Sequence, residues 1–185
     1  MKIIQEKYNF LKPYRSLNLV RMGRNEDGGY VVDNNSITLN NTLITFGMGL
    51  DWSFELDYLQ KNNHGKILIY DHTVNFFTFF LPFLKSLKRF ILLRKNIHDV
   101  NDRFKKLANY LNFILSNRVS FFNKKISLNI SKNTTNLNQI IKNNNIQKFI
   151  LKIDIEGAEY EIIDEIIMNS NKIDMLIIEF HDIEN

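Results

Sequence analysis

The chain has no cysteine among its 185 residues. Disulfides, cysteine-ligated zinc and thiol nucleophiles are therefore excluded, and the composition suits a cytoplasmic setting. A membrane-crossing run is missing too. The most apolar stretch, Val74 to Leu84 (VNFFTFFLPFL), is roughly half the ~20 residues a spanning helix needs and contains Pro82. It predicts an aromatic-rich helix that is buried or lies at an interface. No signal peptide is visible, because the N-terminus alternates charged with apolar residues. Nor does either charge dominate: 24 Lys and Arg against 20 Asp and Glu leave a net +4. The basic residues are mostly scattered among asparagines, so no nucleic-acid partner is expected. The densest basic group, Lys85, Lys88, Arg89, Arg94 and Lys95, reads as a solvated helix face.

What is present is a globular pattern. The 44% hydrophobic content can fill a sizeable core, and no repeat or long linker divides the chain. One domain is expected over residues 1–185, with 1–40 as an N-terminal helix and strand-turn-strand lead-in and 41–185 as the main sheet. The helix is expected over Ile3 to Leu11, ending before Pro13. Strands are expected at Leu19 to Met22, Tyr30 to Val32, Thr42 to Phe46, Lys66 to Tyr70, Val119 to Phe122, Phe149 to Ile153 and Met175 to Ile178. Helices are expected from Ser53 to Lys61, after Asp99, from Leu137 to Ile141 and from Ala158 to Met168. Strands alternating with helices predict an α/β fold with a mostly parallel sheet.

Chemistry gathers where these strands end. The buried strand Phe149 to Ile153 runs into Asp154, Glu156, Gly157 and Glu159, at the edge where α/β sheets place ligands. Taken alone, such acids are more commonly solvated helix caps. Phe46-Gly47-Met48-Gly49 closes another strand, and two glycines at this spacing let backbone approach a ligand closely. A plain tight turn is the alternative there. The dinucleotide fingerprint needs a third glycine where Trp52 stands, which argues against a nicotinamide enzyme, and no Gly-Lys-Ser/Thr follows to make a P-loop. Asp71 ends the next strand about twenty residues on, where an acid can accept both hydroxyls of a ribose. A glycine loop with that acid and no third glycine suits S-adenosylmethionine. Asp71 as a cap of the next helix stays open as the alternative. Trp52 and Phe54 read as core anchors, and His64, His72 and His98 carry less weight than His181.

Five motifs stand in order: Arg21-Met22-Gly23-Arg24 with Asp27-Gly28-Gly29-Tyr30-Val31-Val32; Phe46-Gly47-Met48-Gly49-Leu50-Asp51-Trp52-Ser53-Phe54-Glu55; Asp71-His72-Thr73; Leu151-Lys152-Ile153-Asp154-Ile155-Glu156-Gly157-Ala158-Glu159; and Ile178-Glu179-Phe180-His181. From about Leu19 onward the sequence resembles the FkbM-type methyltransferase domain family. The resemblance implies a Rossmann-like class I fold and S-adenosylmethionine-dependent methylation of a hydroxyl on a sugar, glycan or other small metabolite. It places Phe46, Gly47, Met48, Gly49 and Asp71 at the cofactor. Asp154, Glu156 and His181 would face the sulfonium and the substrate, with Tyr30 and Glu179 on the substrate side.

Methyl transfer to a hydroxyl needs alignment and a deprotonated oxygen. With an ordinary pKa of ~6.5, His181 is the best-suited side chain for the base. Three roles stay open for it: base, divalent-metal ligand together with Asp154 and Glu179, or a structural and substrate-orienting group. Class I methyltransferases usually continue beyond the equivalent of His181 through a helix and an antiparallel hairpin. The expectation is thus of truncated C-terminal strands and an open sheet edge that would favour a homo-oligomer. A non-catalytic nucleoside-binding module on the same fold is the competing reading.

Overall fold

The structure, a computed structural model, describes residues 17–25, 28–94 and 96–181. The helix expected over Ile3 to Leu11 lies outside these residues, as do Asp27 and Lys95. Strands β1 (Leu19–Met22) and β2 (Tyr30–Asp33) form an antiparallel hairpin in which Met22 pairs with Tyr30. Helix α1 (Asn34–Leu39) follows, a short element the hydrophobic pattern did not announce. Its signal is chemical: Asp33 Oδ2 accepts the Ser36 amide at 2.8 Å, an N-cap bond.

The main sheet uses β3 (Thr42–Phe46), β4 (Lys66–Tyr70), β5 (Val119–Phe122), β8 (Phe149–Ile153) and β9 (Ile173–Ile178), in the order β5-β4-β3-β8-β9. Every neighbouring pair is parallel. Between β5 and β8 a two-residue parallel pair, β6 (Lys125–Ile126) with β7 (Thr134–Thr135), stands apart from it.

Helices cover both faces because the central strands are apolar on both. Leu43, Ile67, Ile69 and Ile150 face α2 (Ser53–Lys61), α3 (Phe76–Ile91) and α4 (Ile97–Ile114), and pack with Phe54, Tyr58, Phe79, Leu107 and Phe113. Ile44, Phe46, Leu151 and Ile153 face α5 (Leu137–Asn144) and α6 (Ile163–Met168), with Ile140, Ile141 and Ile166. Trp52 is 7% exposed and sits between Phe79, Tyr110 and Phe113, with ring centroids 5.7–6.0 Å away. It is a core anchor. The one charge in β8, Lys152, is 4% exposed and turns toward α2, where its Nζ lies 3.3 Å from Glu55 Oε1. Glu55 Oε1 also accepts the Thr45 hydroxyl at 3.1 Å, so three polar side chains meet inside the core.

Two expected elements differ. The helix expected from Ala158 to Met168 is divided into a 3₁₀ turn at Tyr160–Ile162 and α6. Just before that turn, Glu156 (φ 57°) and Gly157 (φ 97°) are left-handed, and the Glu159 side chain folds back onto the Ile155 amide. The aromatic-rich helix expected over Val74 to Leu84 is α3, which starts at Phe76 and runs on through Pro82 to Ile91. A capping box starts it: Asn75 Oδ1 accepts the Phe77 and Thr78 amides, and Thr78 Oγ1 accepts the Asn75 amide. Asn75→Ala is expected to cost about 1 kcal/mol and to lower the thermal midpoint by about 2–4 °C. An unchanged melt would contradict this cap.

Candidate functional site

The chain runs outward from β3 through β4 to β5, then returns past β3 to lay down β8 and β9. The order therefore reverses between β3 and β8, and a crevice opens at their carboxyl ends. Backbone hydrogen bonds carry the ladder to this edge. Gly47 N donates to Tyr70 O (3.0 Å), Asp71 N to Phe122 O (3.1 Å), Asp154 N to Phe46 O (2.9 Å) and Glu179 N to Ile153 O (3.0 Å). Four strand ends thus deliver Gly47, Asp71, Asp154 and Glu179 side by side.

Gly47 is required by contact as well as conformation. Its φ is +76°, and a Cβ built there would sit 1.6 Å from the Asp154 carbonyl oxygen. Gly49 also has a positive φ, +60°, yet a Cβ there would meet nothing within 4 Å. It borders open space. Phe46 and Met48 are 0% and 3% exposed, so their side chains belong to the core and only their backbone reaches the edge.

Asp71 is 4% exposed and fully engaged. Its Oδ2 accepts the Met48 and Gly49 amides at 2.9 and 2.8 Å, holding the glycine loop. Its Oδ1 accepts the Thr73 amide and hydroxyl, both at 2.7 Å, and the Val74 amide at 3.3 Å. It does not cap α3, a task taken by Asn75. A cleft of about 340 Å³ opens here, lined by Gly47, Gly49, Asp71, Asp154 and Glu156 and also by Lys124 and Lys125. That volume falls within the roughly 300–1,000 Å³ of small-molecule pockets. A larger groove of about 960 Å³ runs between α2 and α4, but Gly47, Asp71, Asp154 and His181 are not among its lining residues.

Beside the cleft, β2, β8, β9 and the segment after β8 bring a second group together. Tyr30 Oη donates to Glu179 Oε2 at 2.9 Å. His181 Nδ1 lies 2.9 Å from Glu159 Oε1, while its Nε2 is 3.7 Å from Asp154 Oδ1 and 3.9 Å from Glu179 Oε1. The first distance is a hydrogen bond; the other two exceed one. Tyr160 Oη donates to the His181 carbonyl at 2.8 Å, so adjacent residues grip the histidine by ring and by backbone. Glu156 lines the cleft but is absent from the ion pairs around His181. Among the described residues, no group of three or more His, Asp or Glu is arranged to hold a metal ion.

Electrostatics follow from this packing. The hydrogen bond that Glu159 accepts from His181 raises the His181 pKa above its ordinary value, against a smaller lowering by burial. Burial pushes Glu159 up, but hydrogen bonds from backbone and from His181 together bring it below the usual carboxylate range. Asp154 is raised, chiefly by burial, with Lys152 opposing. Burial and then the bond to Glu179 raise Tyr30, which stays a neutral donor.

Glu159 has no distinguishing mark in the sequence beyond its place in the Glu156-Gly157-Ala158-Glu159 motif. Its signal is the position four residues after Ile155, whose amide its Oε1 accepts at 3.1 Å. Lys124 and Lys125 stand in no motif at all, and only the fold brings them to the cleft.

A parallel sheet in this order, with helices on both faces and a glycine loop at the point of reversal, is a Rossmann-like methyltransferase fold. The family model of the methyltransferase FkbM domain matches residues 34–185. The chain belongs to that family. No curated protein and no solved structure gives a significant match. Among the described residues, no helix is long and apolar enough to cross a membrane.

Proposed function

We propose that this chain is an S-adenosylmethionine-dependent O-methyltransferase acting on a sugar, glycan or similarly hydroxylated small molecule. The observation that carries the reading is His181 Nε2, which faces Asp154 and Glu179 at 3.7 and 3.9 Å beside the glycine-loop cleft. Nδ1 is committed to Glu159, so in neutral His181 the free lone pair is on Nε2.

The cleft suits the donor in three respects: its volume, the open backbone at Gly49, and acids opposite a cationic sulfonium. When bound, the donor supplies a methyl group whose bond to sulfur breaks with its electron pair as the bond to the acceptor oxygen forms. Gly47, Met48 and Gly49 give close backbone approach, with Phe46 setting the strand end. Asp71 would serve the donor through the glycine loop, whose Met48 and Gly49 amides its Oδ2 holds in place. Asp154 and Glu156 offset the sulfonium charge. Tyr30 and Glu179 orient the acceptor, and His181 Nε2 takes the hydroxyl proton. Glu159 acts through His181 as a positioning residue. The lead-in of residues 1–40 thus supplies Tyr30 to a site built on 41–185, and the lack of cysteine supports a cytoplasmic setting.

Calorimetric titration with S-adenosylhomocysteine tests the donor site. Saturable binding is expected to wild-type protein and none to a folded Asp71→Ala variant. No heat from folded wild-type protein would sink the proposal, whereas binding without transfer to any hydroxylated acceptor would favour a binding module.

A further inference from the structure

The hairpin of α3 and α4 carries an exposed face that methyl transfer does not use. Phe79 and Ser86 of α3 turn inward at 4% exposure, so the opposite side should be polar. Instead Phe77, Leu81, Leu84 and Ile91 follow one another there along a helical stripe, 60, 57, 41 and 71% exposed. Leu92 and Leu93, just beyond the helix, are 52% and 92% exposed. One apolar stripe of α3 is buried and a second is left in water. Contiguous exposed apolar surface of this kind marks an interaction site.

Charge indicates the partner. Residues 76–114 contain eight Lys and Arg and two Asp, a net +6 in a chain whose total is +4. Lys85, Lys88, Arg89 and Arg94 are exposed on and beside the stripe. Asp99 of α4 shares a groove with Lys85 and Arg89 and offsets part of that charge. Phe and Leu bordered by Lys and Arg on one helix match the boundary between acyl chains and anionic headgroups, where rings enter and cationic tips stay at the phosphates. Pairing this face with a second copy would set two net-positive hairpins against each other, which disfavours a dimer here.

We propose that α3 docks this chain on an anionic membrane surface. The Phe77–Leu81–Leu84–Ile91 stripe enters the headgroup boundary, and Lys85, Lys88, Arg89 and Arg94 lie on lipid phosphates. At 16 residues α3 lies along the surface rather than crossing it. The inference does not depend on the methyl-transfer reading. It bears on the cleft only through position, since Thr73 at its rim stands three residues before Phe76.

Flotation of the full chain with vesicles tests this. Binding is expected to phosphatidylcholine vesicles containing one third phosphatidylglycerol, at least about tenfold tighter than to phosphatidylcholine alone, and lost at high salt. Each of Lys85→Gln, Lys88→Gln and Arg89→Gln should weaken it about fivefold. Phe77→Glu with Leu81→Glu should abolish it without changing circular dichroism or the thermal midpoint, because both side chains are exposed. No flotation would overturn the proposal, as would equal binding to neutral vesicles or unaffected binding by folded variants. A dimer in light scattering that the Phe77→Glu, Leu81→Glu variant converts to monomer would assign the face to a second copy and overturn it too.

Discussion

Glutamine in place of Glu159 is expected to slow methyl transfer on the order of 100-fold, within the contribution of a positioned base, while S-adenosylhomocysteine still binds. The carboxylate oxygen 2.9 Å from His181 Nδ1 fixes which ring nitrogen carries the proton. An amide in its place can present its NH₂ to that nitrogen, which favours the tautomer with the proton on Nε2 and blocks the base. The pH dependence separates this from plain damage. His181 must be neutral to accept a proton, so the rate rises with pH through its raised pKa, and Glu159 is the chief cause of that raise. Asp154, Glu156 and Glu179 also face the ring or its surroundings and remain in the variant. With Glu159 neutralised, the acid limb should move to lower pH even as the plateau falls. A variant that is merely distorted would lose rate with its acid limb in place, and that outcome would end the positioning role. Nitrogen-15 spectra of the imidazole read tautomer and titration together and need no acceptor.

The same pair has a stability signature. The lowered Glu159 pKa means its contribution is present above the unfolded carboxylate pKa and is lost as pH falls through the folded value. The raised His181 pKa means the reverse: its contribution is full below the unfolded imidazole pKa and lost as pH rises through the folded one. The variant should therefore be most destabilised between those two limits, in weakly acidic solution.

Gly47→Ala is expected to damage the fold far more than Gly49→Ala, although both glycines have positive φ. Left-handed backbone alone costs an alanine about 1–2 kcal/mol at either position. At Gly47 the new methyl would also meet the Asp154 carbonyl oxygen at 1.6 Å. That oxygen belongs to the backbone leaving β8 and cannot swing aside as a side-chain tip would, so overpacking adds about 1–3 kcal/mol. Together these approach a third of the roughly 5–15 kcal/mol that stabilises a typical domain. Urea unfolding should show a much lower midpoint for Gly47→Ala. Gly49→Ala should fold and lose donor affinity instead, since its methyl would project into open space at the cleft. Equal midpoints for the two variants would show that β3 and β8 do not approach as closely as described.

The strands were legible because each central one is a short apolar run closed by Gly or Asp, the pattern of a parallel strand buried on both faces. The site was legible in part. Asp154, Glu179 and His181 could be placed together because all three follow strand ends. What escaped was whatever depends on where a side chain points after a turn. Glu159 and Asp71 are two such cases. Glu159 looked like a solvated acid in a helix start and is 0% exposed against His181. Asp71 looked free for a ligand and is filled by five donors from its own chain. Helix α3 was legible as an aromatic-rich helix, buried or at an interface; what escaped is that its basic residues, read separately as a solvated face, share that face with exposed Phe77, Leu81 and Leu84.

The pairing of β3 with β8 also governs how the protein reaches its native state. Leu43 meets Ile150, more than 100 residues away along the chain, whereas β3 meets β4 within about 25. Closing the longer loop is the more costly ordering step and tends to be slow. The half-sheet of β3, β4 and β5 has the shorter closures, and a polypeptide stopped at that stage has Gly47 and Asp71 but no facing wall. A nascent chain still in the ribosome would therefore present no crevice until β8 had emerged. Ligand added during refolding should protect only molecules that have completed that last crossing.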